Sequence, residues 1–165
     1  IGTLSRLVDM GIDPYLIASS LSCVVGQRLV RRVCRECASQ VPAQEKELRI
    51  LQKYRLIGQG IQAVARTGTE ATPPASGMTT TDVYLTRGNG CGMCNKSGYK
   101  GRMAVQEVLV IDEPLRRMIV QNSSADEIHQ YAVENGYTTM MTDGLTKALA
   151  GMTTIEEVLK AVMDE

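Results

Sequence analysis

The chain contains no phenylalanine and no tryptophan, and its 165 residues include six tyrosines and a single histidine, His129. Sequence-tolerant binding of single-stranded nucleic acid relies on aromatic platforms for the bases, so this composition argues against that role. No stretch approaches the roughly 18 consecutive apolar residues of a membrane-spanning helix, and the opening IGTLSRLVDMG lacks the charged-then-apolar order of a secretory leader. The first residue is Ile1, not methionine, so a longer parent protein is expected. There is no G-x-x-x-x-G-K-[ST] phosphate loop, no G-x-S-x-G and no H-E-x-x-H. One histidine cannot serve the usual acid–base groupings. No catalytic or nucleotide-binding residue is therefore assigned, and the chain alone is expected to be inactive.

What is present is cysteine in a particular pattern. CRECASQV holds Cys34 and Cys37, and GCGMCNKSGYKGR holds Cys91 and Cys94, with 53 residues between the two pairs. A C-x-x-C turn lets two thiolates converge while backbone amides of the turn point at the sulfurs, and two such turns complete a tetrahedral four-sulfur site. Gly90, Gly92 and Gly98 flank the second turn, where tight backbone geometry is needed. Disulfides would require an oxidising compartment, and neither pair clearly opens a helix as a redox motif does. Structural zinc held by Cys34, Cys37, Cys91 and Cys94 is the expectation. Cys23, in an apolar stretch, reads as a small buried residue, and His129 reads as structural.

Net charge is zero, yet the charges are unevenly placed. Arg28, Arg31, Arg32 and Arg35 crowd eight positions, while residues 118–165 carry eight acids against Lys147 and Lys160. Such asymmetry orients partners, although solvated strand and helix faces account for it more simply.

Local signals predict the elements. Residues 4–10 have helical apolar spacing with a stop at Gly11, and Asp13 followed by Pro14 starts a second helix. LSCVVGQRLVRRV predicts a strand with Arg28 and Arg32 on one face, Leu29 and Val33 on the other. AQEKELRILQKYRLI predicts a helix using Leu48, Leu51, Tyr54 and Ile57. Residues 58–82 include the run TGTEATPPASGMTTT and read as a flexible insert. Strands follow at DVYLT and at 103–110. Asp112, Ser124 with Glu127, and Thr153 with Glu156 are expected helix starts, with stops at Gly136 and Gly151. Met140, Met141, Met152 and Met163 are expected to fill a core.

In order along the chain, RLVDMGIDPYLIASSL, GQRLVRRVCRECA, GCGMCNKSGYKGRMAVQEVLVID and DGLTKALAGMTTIEEVLKAV resemble the C-terminal part of the type II secretion and type IV pilus assembly ATPases. The resemblance covers the chain apart from about 43–82. It implies an α/β fold: the C-terminal edge of a RecA-like core (1–33, truncated), a tetracysteine zinc-binding subdomain (34–102), then a strand and helical C-terminal subdomain (103–165). It also implies a homo-hexameric parent that hydrolyses ATP with magnesium and drives a platform protein, and that lies on the cytoplasmic face of the inner membrane without spanning it. The Walker A and acidic boxes would lie upstream, and residues 1–33 would expose apolar faces. Cys34, Cys37, Cys91 and Cys94 match the family's zinc ligands. Gly26, where alanine is usual, and Met103-Ala104-Val105-Gln106 depart from the family pattern. Two other readings start from the residues: a free-standing zinc-ribbon interaction or nucleic-acid module using the four arginines, and a scaffold docking through its acidic helical end.

Overall fold

The computed structural model describes residues 2–57 and 83–163. The expected flexible insert at 58–82 lies outside the described residues. The fold mixes helix and strand: α1 (Gly2–Asp9), α2 (Pro14–Ser20), β1 (Cys23–Val33), β2 (Ala38–Pro42), α3 (Glu45–Lys53), β3 (Tyr84–Gly88), β4 (Tyr99–Val110), α4 (Glu113–Val120), α5 (Ala125–Glu134), α6 (Met140–Leu149) and α7 (Ile155–Met163). β1 pairs with β4 and β2 with β3, as two separate two-stranded sheets.

Helix starts follow the local chemistry. The Asp13 carboxylate accepts the Tyr15 amide at 2.7 Å, and Asp112 accepts that of Leu115 at 3.0 Å. Ser124 and Glu127 complete a reciprocal capping box. Each cap satisfies an amide that has no partner within the helix, worth about 1 kcal/mol. At α7 the start falls one residue later than expected. Thr154, not Thr153, accepts the helix amide, that of Glu157, at 3.4 Å. Thr153 is fully buried and donates instead to the carbonyl of Arg31 at 2.8 Å. The run TTIEE offers capping-box spacing in two registers, and the tertiary bond selects between them.

The chain divides into two compact units, residues 1–27 with 106–139, and residues 28–105 with 140–165. In the first, Leu4, Ile17, Ala18, Leu109, Ile111, Leu115, Ile119, Ile128 and Ala132 form the core. Val8, Met10, Ile12, Tyr15 and Leu16 are exposed there. In the second unit, Leu51, Leu56 and Leu85 pack with Met141, Leu145, Ala148, Leu149, Ile155 and Val158. A fully buried leucine such as Leu51 or Leu145 contributes roughly 1.5–3 kcal/mol.

Three side-chain expectations are corrected. Leu29 is 59% exposed and Val30 is 1% exposed, so along β1 the inward phase is that of Val30, although Val33 at the strand end is buried as well. Cys23 is exposed, because it lies on the outward parity of the same strand. Of the four methionines only Met141 is buried, while Met152 and Met163 point to solvent. Apolar residues at successive β1 positions left the period-two signal without a fixed phase.

Candidate metal centre

Two short 3-10 turns, Arg35–Cys37 and Gly92–Cys94, carry the cysteines. The first begins where β1 ends, and the Cys34 amide donates to the Gly98 carbonyl at 2.9 Å. Within the turns, Cys37 N–H reaches the Cys34 carbonyl at 3.4 Å and Cys94 N–H that of Cys91 at 3.3 Å. β2 and β3 leave the turns as an antiparallel pair in the register Ala38↔Gly88 through Pro42↔Tyr84. The Asn89 amide closes the pair onto the Cys37 carbonyl at 2.9 Å.

Glycine is required where the backbones nearly touch. A Cβ on Gly88 would lie 2.0 Å from the Gly98 carbonyl oxygen. Gly98 itself has φ +76°, and a Cβ there would lie 2.6 Å from the Gly88 carbonyl oxygen. Asn95 and Lys96, both in the left-handed region, complete the return of the second turn.

The four sulfurs lie within 4.8 Å of one another. Cys34 to Cys91 is 3.9 Å, Cys37 to Cys94 is 3.8 Å and Cys91 to Cys94 is 3.7 Å. A disulfide needs about 2.05 Å, so these sulfurs are not bonded to each other. Four sulfurs placed tetrahedrally about 2.3 Å from one ion stand about 3.8 Å apart, which the three separations match. Cys34 and Cys94 are buried, Cys37 and Cys91 partly so. The amides of Cys91 and Gly98 donate to Cys94 Sγ at 3.1 and 3.3 Å. These bonds, that of Cys91 foremost, bring its thiol down to about 6. Desolvation pushes the Cys37 thiol up to about 12. The chemistry of the donor set, four soft ligands with amides directed at a sulfur, fits a metal ion that takes tetrahedral thiolate coordination.

Sequence reasoning grouped four arginines, but the structure gives them different surroundings. Arg31 donates its Nε to Glu157 Oε2 at 2.8 Å and its Nη2 to Oε1 at 2.5 Å. Its guanidinium lies 4.2 Å from the Tyr99 ring centroid, and the Tyr99 hydroxyl is 3.1 Å from Thr154 Oγ1. Arg28 lines a second cleft with Lys160. Arg32 and Arg35 line a cleft beside Cys34 together with Lys100. Arg87 on β3 bridges Glu47 at 2.8 Å and Glu156 at 3.2 Å. No local sequence pattern signals these pairings, since Glu157 is 126 residues from Arg31. His129 lies on α5 and meets Tyr137 edge to face at 6.3 Å.

A mixed helix–strand protein with a four-cysteine cluster able to hold a metal ion is the class that fold and site define. The chain belongs to the type II/IV secretion system protein family, whose pattern matches residues 1–160. It is 38% identical over 161 residues, 98% of its length, to the type IV pilus assembly ATPase PilB of Thermus thermophilus. It is 37% identical over its whole length to type II secretion system protein E of Pseudomonas aeruginosa, and 34% identical over 96% of its length to PilB of Myxococcus xanthus. The chain spans 16%, 28% and 24% of those relatives, respectively. No described helix is long and apolar enough to cross a membrane.

Proposed function

We propose that the chain acts as the C-terminal part of a secretion or pilus-assembly motor ATPase, and that Cys34, Cys37, Cys91 and Cys94 hold its structural zinc. The observation that carries this reading is the convergence of four sulfurs within 4.8 Å in a chain matched to the family over residues 1–160. The parent would be a homo-hexamer that binds ATP and magnesium through residues upstream, sits peripherally on the cytoplasmic face of the inner membrane and drives a platform protein there. Residues 1–33 would close its RecA-like core, 34–102 form the zinc subdomain and 103–165 add the final strand and helical subdomain. Exposed Met10, Tyr15 and Leu16 suit a segment that packs on further protein.

A site closed by four thiolates has no open position for substrate, so the zinc would stabilise and not react. It would fasten the end of β1 to the turn between β3 and β4, across the long connection between the knuckles. Metal analysis tests this: one zinc per chain is expected, lost in Cys34→Ser/Cys91→Ser. Absence of stoichiometric zinc, with melting indifferent to chelators, overturns the zinc. Coding DNA upstream of Ile1 is expected to encode a Walker A motif, and a reading frame without one overturns the motor.

A further inference from the structure

The second unit gathers positive charge around the cysteine turns. Residues 28–37 and 87–102 hold Arg28, Arg31, Arg32, Arg35, Arg87, Lys96, Lys100 and Arg102, against one acid, Glu36. Arg31 is taken up by Glu157, and Arg87 by Glu47 and Glu156. Arg28 has a partner of its own, so Arg32, Arg35, Lys96, Lys100 and Arg102 remain against Glu36, a surplus of four positive charges. A divalent ion on four thiolates carries two negative charges and offsets only part of that surplus. About two positive charges remain around the cysteine turns.

Three of these cations converge. Arg32, Arg35 and Lys100 line a cleft of about 300 Å³ with Val33, Cys34 and Glu36. The bond from Cys34 N–H to the Gly98 carbonyl sets the start of β4 beside the end of β1 and brings Lys100 to the arginines. Among the described residues, none of the three forms an ion pair. Holding like charges together unpaired is unfavourable, and an anion in the cleft removes that cost. Arginine forks grip carboxylates in two-point fashion.

We propose that this cleft is a docking site for an acidic peptide segment of a protein partner. The site is concave, and its one apolar lining side chain besides cysteine, Val33, is 6% exposed. A bilayer surface is served instead by cations flanked by protruding apolar groups. Nucleic-acid binding is disfavoured by a sequence pI near 6.8 and by the engagement of Tyr99 with Arg31 and Thr154. The inference does not depend on the motor reading.

The test uses the whole chain loaded with zinc, and a fluorescein-labelled Glu-Ser repeat peptide followed by anisotropy. Binding that weakens with added salt is expected. It should weaken a further threefold to tenfold, roughly, in Arg35→Gln/Lys100→Gln, whose sites are exposed. Lys46→Gln/Lys53→Gln on α3 removes the same charge elsewhere, and should bind like the parent. Equal loss in both double variants, or loss in neither, overturns the proposal. So does tighter binding to phosphatidylglycerol vesicles or to a DNA oligonucleotide than to the peptide. If Arg35→Gln/Lys100→Gln sheds zinc to a chelator faster yet keeps its peptide affinity, the cations serve the metal and the proposal fails. Circular dichroism and zinc content show that each variant is folded.

Discussion

Arg31 and Glu157 lie 126 residues apart in sequence, yet meet through both carboxylate oxygens, with the Arg31 backbone amide a third donor at 3.2 Å. The Glu157 side chain is 11% exposed and that of Arg31 51%. Hydrogen bonding to Arg31 therefore holds the Glu157 carboxyl below the usual range, and burial only partly opposes it.

This pair predicts a pH dependence. A carboxyl with a depressed folded pKa contributes fully above its unfolded value, about 4.3, and the contribution is lost as pH falls through the lower folded value. With Arg31 half in water, Glu157→Gln is expected to cost about 1 kcal/mol near neutrality. Urea unfolding from neutral to acidic pH should show the parent and variant curves converging below about pH 4. A constant difference through that range would assign the cost to packing.

The glycines of the cysteine turns are not equivalent. Gly88→Ala places a methyl group 2.0 Å from a backbone oxygen, whereas at Gly92 nothing lies within 4 Å of an added Cβ. Gly88→Ala is expected to cost about 3 kcal/mol or more and to weaken metal retention, and Gly92→Ala to stay within about 0.5 kcal/mol of the parent. Denaturant midpoints with zinc competition measure both.

Gly144 sits inside α6, where alanine ordinarily gains about 1 kcal/mol in helix propensity. Its added Cβ would stand 2.5 Å from Val158 Cγ1, and overpacking costs about 1–3 kcal/mol. Gly144→Ala should therefore destabilise. The double variant with Val158→Ala should recover part of the combined loss, which a double-mutant cycle detects as coupling.

Metal removal should act on one set of elements. The cysteine turns, β2 and β3 belong to the same compact unit, and α2, α4 and α5 to the other. A chelator is expected to speed hydrogen exchange at the β2 and β3 amides first, with those of α4 and α5 changing less. Uniform acceleration across all of them would contradict this.

Sequence reasoning read best what is settled within three or four residues. Asp13 ahead of Pro14, Asp112, and Ser124 with Glu127 are caps as expected, and Gly11, Gly136 and Gly151 take the positive φ that follows a helix end. The cysteine spacing announced a four-sulfur cluster, because a C-x-x-C turn brings its own two sulfurs together whatever lies around it. β2 escaped notice because its five residues, ASQVP, carry little strand signal, and their partner β3 lies more than 40 residues on.

By itself, then, the sequence determined where α2, α4 and α5 begin, which four cysteines pair in turns, and the family to which that order of motifs belongs. Only the tertiary structure decided that Val30 and not Leu29 faces inward, that Cys23 faces out, that Thr154 and not Thr153 caps α7, and which glutamate holds Arg31. A cap or a turn closes on its own neighbours, so its energy is written locally. The phase of a strand and the partner of a charge depend on groups brought from far along the chain, and short-range patterns carry no record of them.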